Sequence, residues 1–383
     1  MGGIPRVHKL ERVKLISIIL FFGMLFGLFL LTIFLPKQER SEMENRKLAT
    51  FPKISWKTIM DRTFMDGFET YVEDHFVARD SWVGLKGEAE VAIGKTENGG
   101  VFIGEDRLFL KLDPPDEEKV SDNLEGIQTF ADQYDLPIYL MVVPTASEIQ
   151  GALLPSDAPV WDQKAFIEES YAALGDAVIP VDVYETLYEH REEALYYRTD
   201  HHWTTLGAYY AYLKAADVMD LPGAADRVYE TEQVSDSFYG TLYSKVGYRR
   251  ISPDTIELYH PVEGDRPVEI TRMDSGDTVY TSVYFRDKLD ERDQYQVFFG
   301  GVSPMTTIET GEEGKRLLVF KDSYADSLLP FLVDDYASIV TMDLRYLNLP
   351  YDDLVDPEAF DAVLLVYNVQ NFSGSDEVSK LGW

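Results

Sequence analysis

Hydrophobic and polar positions divide the chain into stretches of different rhythm. Residues 15–35, from Leu15 to Leu35, are uncharged and almost wholly apolar. A helix needs roughly 20 such residues to cross a bilayer, so this stretch predicts one transmembrane helix. Residues 36–60 are polar and charged, the pattern of a stalk. Across 58–73, Met60, Phe64, Phe68 and Tyr71 recur at helical spacing, and a further helical segment runs to about residue 91. Asn98-Gly99-Gly100 signals a turn, followed by a hairpin of Val101–Ile103 and Leu108–Leu110. From 115 onward, helix-period segments at about 116–134, 162–174 and 204–219 alternate with continuous apolar runs. Those runs lie at Ile138–Val143, 178–183, 316–320, Ser338–Met342 and 362–366. Continuous apolar runs suit strands buried on both faces, and their alternation with helices predicts parallel βαβ units. Residues 228–310 break the rhythm with Tyr, Thr, Val and turn residues, which predicts a β-rich insertion. The pattern therefore predicts an α/β domain over 61–383 with a mostly parallel sheet.

Charge settles the direction of the N-terminal helix. Arg6, Lys9, Arg12 and Lys14 precede it, so the positive-inside rule assigns 1–14 to the cytoplasm and everything after Pro36 to the outside. A cleaved signal peptide has a shorter apolar core and a small-x-small site, and Phe34-Leu35-Pro36-Lys37-Gln38-Glu39 offers none. The expected protein is a single-pass membrane protein with an extracellular ectodomain. With 67 acidic residues against 35 basic ones and a net charge of −32, binding to nucleic acid is excluded as a function class. The absence of cysteine removes disulfides, thiolate metal sites and a cysteine nucleophile.

Candidate chemistry centres on Asp200-His201-His202-Trp203. Two of only six histidines are adjacent here, directly after an acid and before an apolar-periodic segment. An Asp two residues before a His suits an oriented general base, with Asp200 holding one imidazole nitrogen of His202 while the other faces a nucleophile. His201 lacks an acid two residues before it, and in an extended turn it points to the opposite side. The alternative is a plain helix entry with Trp203 buried, Thr204 or Thr205 as cap, and the histidines satisfied at the surface. A metal site is not expected, because adjacent histidines lack H-x-x-x-H spacing and the ligand count is incomplete. No cofactor is expected. In open α/β sheets ligands sit beyond the carboxyl ends of strands. The run 316–320 is followed by Lys321-Asp322-Ser323-Tyr324, which puts Ser323 on a strand-to-helix turn where a backbone N–H can stabilise an oxyanion. Ser323 or Asp322 could equally serve as a helix cap. Tyr324 either lines the site or packs on the helix. Arg345 either binds a carboxylate or acyl oxygen or pairs with an acid. Asn368 is placed for an oxyanion donor or a turn. His75 is read as structural.

The Asp200–Trp203 motif with the downstream Lys321–Tyr324 motif resembles the DHHW family. The resemblance extends to 44–52, to 68–79 and to Asp343-Leu344-Arg345-Tyr346. That family is similar to the alginate O-acetyltransferase group, which implies an SGNH-hydrolase-like three-layer α/β/α sandwich. In that group an Asp-x-His motif precedes a Gly-x-Ser-Tyr motif that carries the nucleophile. The resemblance thus implies Asp200 as orienter, His202 as base and Ser323 as nucleophile, with Lys321 departing from the group's glycine. It also implies acetyl transfer to a cell-surface or exported polysaccharide beside a multi-span membrane acyltransferase. An acetylesterase with the same triad, or a non-catalytic glycan-binding or assembly protein of the envelope, are the alternative functions.

Overall fold

The computed structural model describes residues 6–41 and 43–383. Residues 1–5 of the expected cytoplasmic segment and Glu42 of the expected stalk lie outside the described residues. The chain divides into two compact units, Met1–Glu90 and Val91–Trp383.

In the first unit, helix α1 (Arg6–Phe34) contains a 23-residue stretch, Arg12–Phe34, of mean hydropathy 2.7, none of it buried. It is long and apolar enough to cross a membrane. Helices α2 (Thr63–Asp74) and α3 (Arg79–Ala92) follow. The apolar face of α2 gathers Phe64, Phe68 and Tyr71 around Phe51, with ring centroids 5.3 to 6.4 Å apart. Asp74, buried at the end of α2, accepts hydrogen bonds from the Arg46 guanidinium and from the Ala49 N–H (2.8 Å). Arg46 holds the Asp74 carboxyl down at about 2, the more so because Ala49 donates to it as well. His75 Nε2 lies 2.9 Å from the Ala49 carbonyl. The segments 44–52 and 68–79 are thus tied to each other by charge and hydrogen bonds.

The second unit begins with the hairpin β1 (Val101–Ile103) and β2 (Leu108–Leu110). Helix α4 (Glu117–Gln133) starts where the Asp116 side chain accepts from the Lys119 N–H, an ordinary aspartate cap. Strand β3 (Ile138–Val143), helix α5 (Gln163–Leu174), the short β4 (Ile179–Pro180) and helix α6 (Thr205–Val218) complete the first βαβ rhythm. A twisted two-stranded ribbon follows, β5 (Tyr229–Phe238) with β6 (Asp254–Pro261). Then come β7 (Glu269–Arg272), β8 (Val279–Tyr280), β9 (Met305–Glu309), β10 (Arg316–Lys321), β11 (Ser338–Met342), β12 (Ala362–Asn368) and helix α7 (Val369–Gly374).

One eight-stranded sheet runs β8-β7-β9-β11-β10-β12-β3-β4. From β11 to β4 all pairings are parallel, while β8, β7 and β9 add antiparallel strands on the other side. The β-rich stretch 228–310 therefore does two things: it makes the separate ribbon β5–β6, and it lends three strands to the main sheet. Helices cover both faces, giving an α/β/α sandwich: α4 packs with α5 and α7, and α6 packs with 184–189 and 329–332. The strand expected over 178–183 shrinks to Ile179–Pro180 at the sheet edge, where the Val181 N–H makes the bond to the Leu140 carbonyl (2.8 Å) and Pro180, having no N–H, turns that side to the open edge. The helix expected after Ser327 is a single turn, Leu329–Leu332.

Two central strands set the position of the site. All seven residues of β12 are buried, and so are Leu317–Lys321 of β10. Lys321 pairs with Val366 and Val143 with Asn368, so β10, β12 and β3 end side by side at one carboxyl edge. On the helix layer, Gly126 of α4 lets the C-terminal turn Glu377–Gly382 come close: a Cβ there would stand 2.7 Å from the Ser379 Cα and 2.9 Å from its carbonyl oxygen. Backbone cannot yield as a side-chain tip can, so Gly126→Ala is expected to lower stability by about 1–3 kcal/mol. Urea unfolding followed by circular dichroism measures this, and an unchanged midpoint would contradict the close packing of that turn.

Candidate active site

Strand β10 stops at Lys321, and the chain turns through a 3-10 helix at Ser323–Ser327. The turn is fixed by Asp322, which is fully buried. Its Oδ1 accepts the Tyr324 N–H (2.8 Å), and its Oδ2 accepts the Asn368 N–H (2.7 Å), Asn368 Nδ2 (2.8 Å) and Asn371 Nδ2 (3.0 Å). One carboxylate thereby ties the end of β12 and the start of α7 to the start of the serine turn. Lys321 points away from the edge into the protein, where its Nζ meets Asp326 Oδ1 at 2.5 Å. Burial pushes the Asp326 carboxyl up against the pull of that ammonium. Ser323 itself stays half-buried, and its backbone N–H, first in the turn, is one of the donors that a helix start leaves without an intrahelical acceptor.

The Asp200–Trp203 segment is the tip of a tight loop. Tyr196 bridges Trp203 in antiparallel fashion, and the Tyr197 N–H donates to the His202 carbonyl (3.2 Å). Thr199 secures the loop to the first residue of β6, its N–H donating to Asp254 Oδ2 (2.8 Å). At the tip, Asp200 Oδ1 accepts the His202 N–H (3.0 Å) and lies 2.5 Å from His202 Nδ1. Asp200 Oδ2 accepts the N–H (2.7 Å) and the hydroxyl (2.9 Å) of Thr241. The far nitrogen of the same imidazole, His202 Nε2, stands 2.7 Å from Ser323 Oγ. A continuous hydrogen-bonded line Asp200–His202–Ser323 results, joining residues 121 apart in sequence. Gly240 makes room for it, because a Cβ there would fall 2.2 Å from the Asp200 Cβ.

Trp203 and Tyr295 brace this line. Trp203 is fully buried, and its Nε1–H reaches both the Tyr324 carbonyl and Ser327 Oγ (2.9 Å each). The Tyr295 ring stacks on the His202 ring at 3.9 Å, nearly parallel at 7°, and its hydroxyl donates to the Ser323 carbonyl (3.0 Å). Neither role has a signal in the sequence: Tyr295 sits in the irregular 286–297 stretch, and Trp203 reads simply as a buried ring. Thr204 caps α6, its hydroxyl oxygen accepting from Gly207 (3.3 Å), and Trp203 is buried as a helix entry requires, but His202 is buried and bonded at both nitrogens instead of being satisfied at the surface.

Three residues considered for substrate contact take other partners. Tyr324 is buried, and its hydroxyl donates to the His201 carbonyl, so it packs beneath the loop and does not line a substrate path. Asn368 is buried, donates from Nδ2 to Asp322 and caps α7 through its oxygen, accepting from the Asn371 N–H at 3.0 Å, which is the turn-forming alternative. Arg345 forks onto Asp343, with Nε at 2.9 Å and Nη2 at 2.6 Å, the ion-pair alternative. Leu15, the expected start of the apolar stretch, lies within α1, whereas Leu35, its expected end, falls one residue beyond the last helical residue, Phe34. Asp200, His201 and His202 offer three ligand atoms within 4.8 Å of one another. A metal there would have to displace a hydrogen bond at whichever oxygen of Asp200 and whichever nitrogen of His202 it used, and three ligands fall short of a closed site.

The two histidines differ electrostatically. Burial, and then the neighbouring His202 ring, push the His201 imidazole down to about 3. Burial alone would raise the Asp200 carboxyl, yet the two imidazoles and the Thr241 N–H hold it well below the usual carboxylate range. An unfolded histidine takes up a proton near 6.5, which folded His201 refuses until about 3, so between these values the unfolded chain binds more protons. Stability conferred by this site is therefore complete above 6.5 and is lost as pH falls through that interval; the depressed Asp200 acts in the same direction below its unfolded range. Urea midpoints measured at pH 7, 6 and 5 are expected to decline, with the decline smaller in His201→Asn. An identical pH dependence in wild type and variant would rule out a neutral His201.

A family profile described as DHHW protein matches residues 120–342. Among solved structures, a DHHW family protein from Eubacterium siraeum is 25% identical, with a TM-score of 0.62 over 74% of this chain and 95% of that one. Bacillus cereus PatB1, solved with a sulfonyl adduct, is 19% identical with a TM-score of 0.61, covering 72% of this chain and 97% of that one, and this shows a shared fold. No curated protein sequence matches the chain. The profile spans more than half of the residues and both the Asp200–Trp203 and Lys321–Tyr324 motifs, and the chain therefore belongs to the DHHW protein family.

Proposed function

We propose that this is a membrane-anchored serine acyltransferase that moves an acetyl group onto a hydroxyl of a polysaccharide outside the membrane. The observation that carries the reading is the line from Asp200 through His202 to the half-buried Ser323 Oγ. Ser323 Oγ attacks the acyl carbonyl while its proton passes to His202 Nε2, and Asp200 stabilises the imidazolium. That proton then leaves with the donor's departing group. In the second half, a sugar hydroxyl gives its proton to His202 Nε2 and attacks the acyl-serine, the new ester forms, and the proton returns to Ser323. The Ser323 N–H is suited to hold the carbonyl oxygen as negative charge develops. Acetyl as the group and a polysaccharide as the acceptor rest on the family's similarity to the alginate O-acetyltransferase group. The apolar part of α1 and the basic residues in its first turns support an N-in anchor with residues 36–60 as stalk and 61–383 as ectodomain. A multi-span membrane acyltransferase would be the fitting source of acyl groups across the bilayer. With water as the acceptor, the same residues make an acetylesterase.

A sulfonyl adduct forms on a protein of this fold, so a sulfonyl fluoride is a suitable probe. The expected result is stoichiometric labelling of the wild type, none in Ser323→Ala, and a rate lower by about 10³-fold or more in His202→Ala. Equal labelling of Ser323→Ala would remove the nucleophile assignment. Acetyl content of the surface glycan is expected to fall when the gene is deleted; a rise would establish the esterase direction instead.

A further inference from the structure

His201 has no part in the line from Asp200 to Ser323, yet its own bonding is specific. His201 Nδ1 lies 2.8 Å from Thr241 Oγ1, and Thr241 Oγ1 lies 2.9 Å from Asp200 Oδ2. A hydroxyl carries one hydrogen, and an ionised carboxylate only accepts. The Thr241 hydrogen therefore goes to Asp200, which leaves the Thr241 oxygen as acceptor and requires the hydrogen of the neutral His201 ring to sit on Nδ1. The His201 main chain is held as well, its carbonyl accepting the buried Tyr324 hydroxyl. The ring lies against that of His202 with centroids 3.9 Å apart, and its side chain keeps a quarter of its surface exposed.

We propose that His201 and Thr241 are positioning residues: His201 Nδ1–H donates to Thr241 Oγ1, Thr241 O–H donates to Asp200 Oδ2, and Asp200 Oδ1 is thereby aimed at His202. This rests on the proposed use of Asp200 and His202 as orienter and base. The two donors from Thr241, one main-chain and one side-chain, pin one oxygen of the carboxylate, so the other cannot rotate away from His202 Nδ1. A carboxylate free to swing would hold the imidazole less firmly against Ser323. Neutrality matters for a second reason. When His202 takes the Ser323 proton, a cation forms one ring-width from His201, and a second cation there would oppose it. The relay lets His201 support the carboxylate without adding charge.

Two measurements on the full chain in detergent micelles test this. Long-range proton–nitrogen spectra of histidine-labelled protein at pH 7 are expected to show His201 protonated on Nδ1 and bare on Nε2, and Thr241→Val is expected to shift it toward the Nε2–H form common in solution. Turnover of p-nitrophenyl acetate is expected to fall about tenfold in kcat, with KM within about twofold, in His201→Ala and in Thr241→Val, the size expected for one charge-assisted hydrogen bond. His201→Asn should recover most of the rate, because its amide N–H stands where Nδ1–H was, and the His201→Ala/Thr241→Val double variant should be no slower than either single one. An Nε2–H tautomer in the wild type, additive losses, or an Asn variant as slow as Ala would overturn the relay, and the tautomer result needs no variant to fold. Turnover with the opposite tautomer would leave the triad standing while removing the relay. The expected tautomer without turnover or sulfonyl labelling would remove the triad and leave the hydrogen-bonded chain in place.

Discussion

The carboxylate of Asp322 is the constraint on which the candidate site depends. A fully buried acid is costly unless its charge is answered by donors, and Asp322 receives four, from Tyr324, Asn371 and twice from Asn368. Those donors come from two different strand ends and a helix start, so the charge can be satisfied only when β10, β12 and α7 are assembled in one arrangement. Ser323, the next residue, inherits its position from that requirement. The neighbouring Lys321–Asp326 pair anchors the other side of the same turn. A buried carboxylate and a buried ion pair thus flank the half-buried hydroxyl and leave its backbone little freedom.

Against this fixed turn, the loop carrying Asp200, His202 and Trp203 must dock with tenths-of-ångström tolerance. Trp203 supplies the fit: its indole N–H bonds into the serine turn from the same loop that carries the imidazole. Tyr295 closes the arrangement by stacking on His202 and bonding to the Ser323 carbonyl. Four adjacent residues therefore divide the work, Asp200 and His202 along the proton path, Trp203 holding the two loops together, and His201 at the outer end of the hydrogen-bonded chain. Donors on every side of Asp200 keep it ionised despite burial, the condition for steadying a positive imidazole.

Much of the fold was legible because burial on both faces leaves a plain trace. The apolar runs at 138–143, 316–320, 338–342 and 362–366 became the parallel strands of the sheet, as continuous hydrophobicity suggests. Legibility failed in two places: the run 178–183 pairs only at Ile179–Pro180, and the apolar spacing after Ser327 produced one helical turn. The irregular stretch 228–310 gave no hint that β7, β8 and β9 would extend the main sheet, since β7 and β9 bury only alternate residues and need no continuous apolar run.

The same division holds at the site. By itself the sequence determined the apolar N-terminal helix, the α/β alternation, and the local pieces: an acid two residues before an imidazole, and a serine after a buried strand. These are short-range features, set by composition and spacing. Only the tertiary structure decided that the pieces, 121 residues apart, stand 2.7 Å from each other. It also decided that Tyr324 and Asn368 serve the scaffold, that Lys321 turns inward, and that Thr241 and Tyr295 join the arrangement. Which partner a polar group finds depends on what the packed sheet and loops bring within hydrogen-bond reach, and no local pattern encodes that.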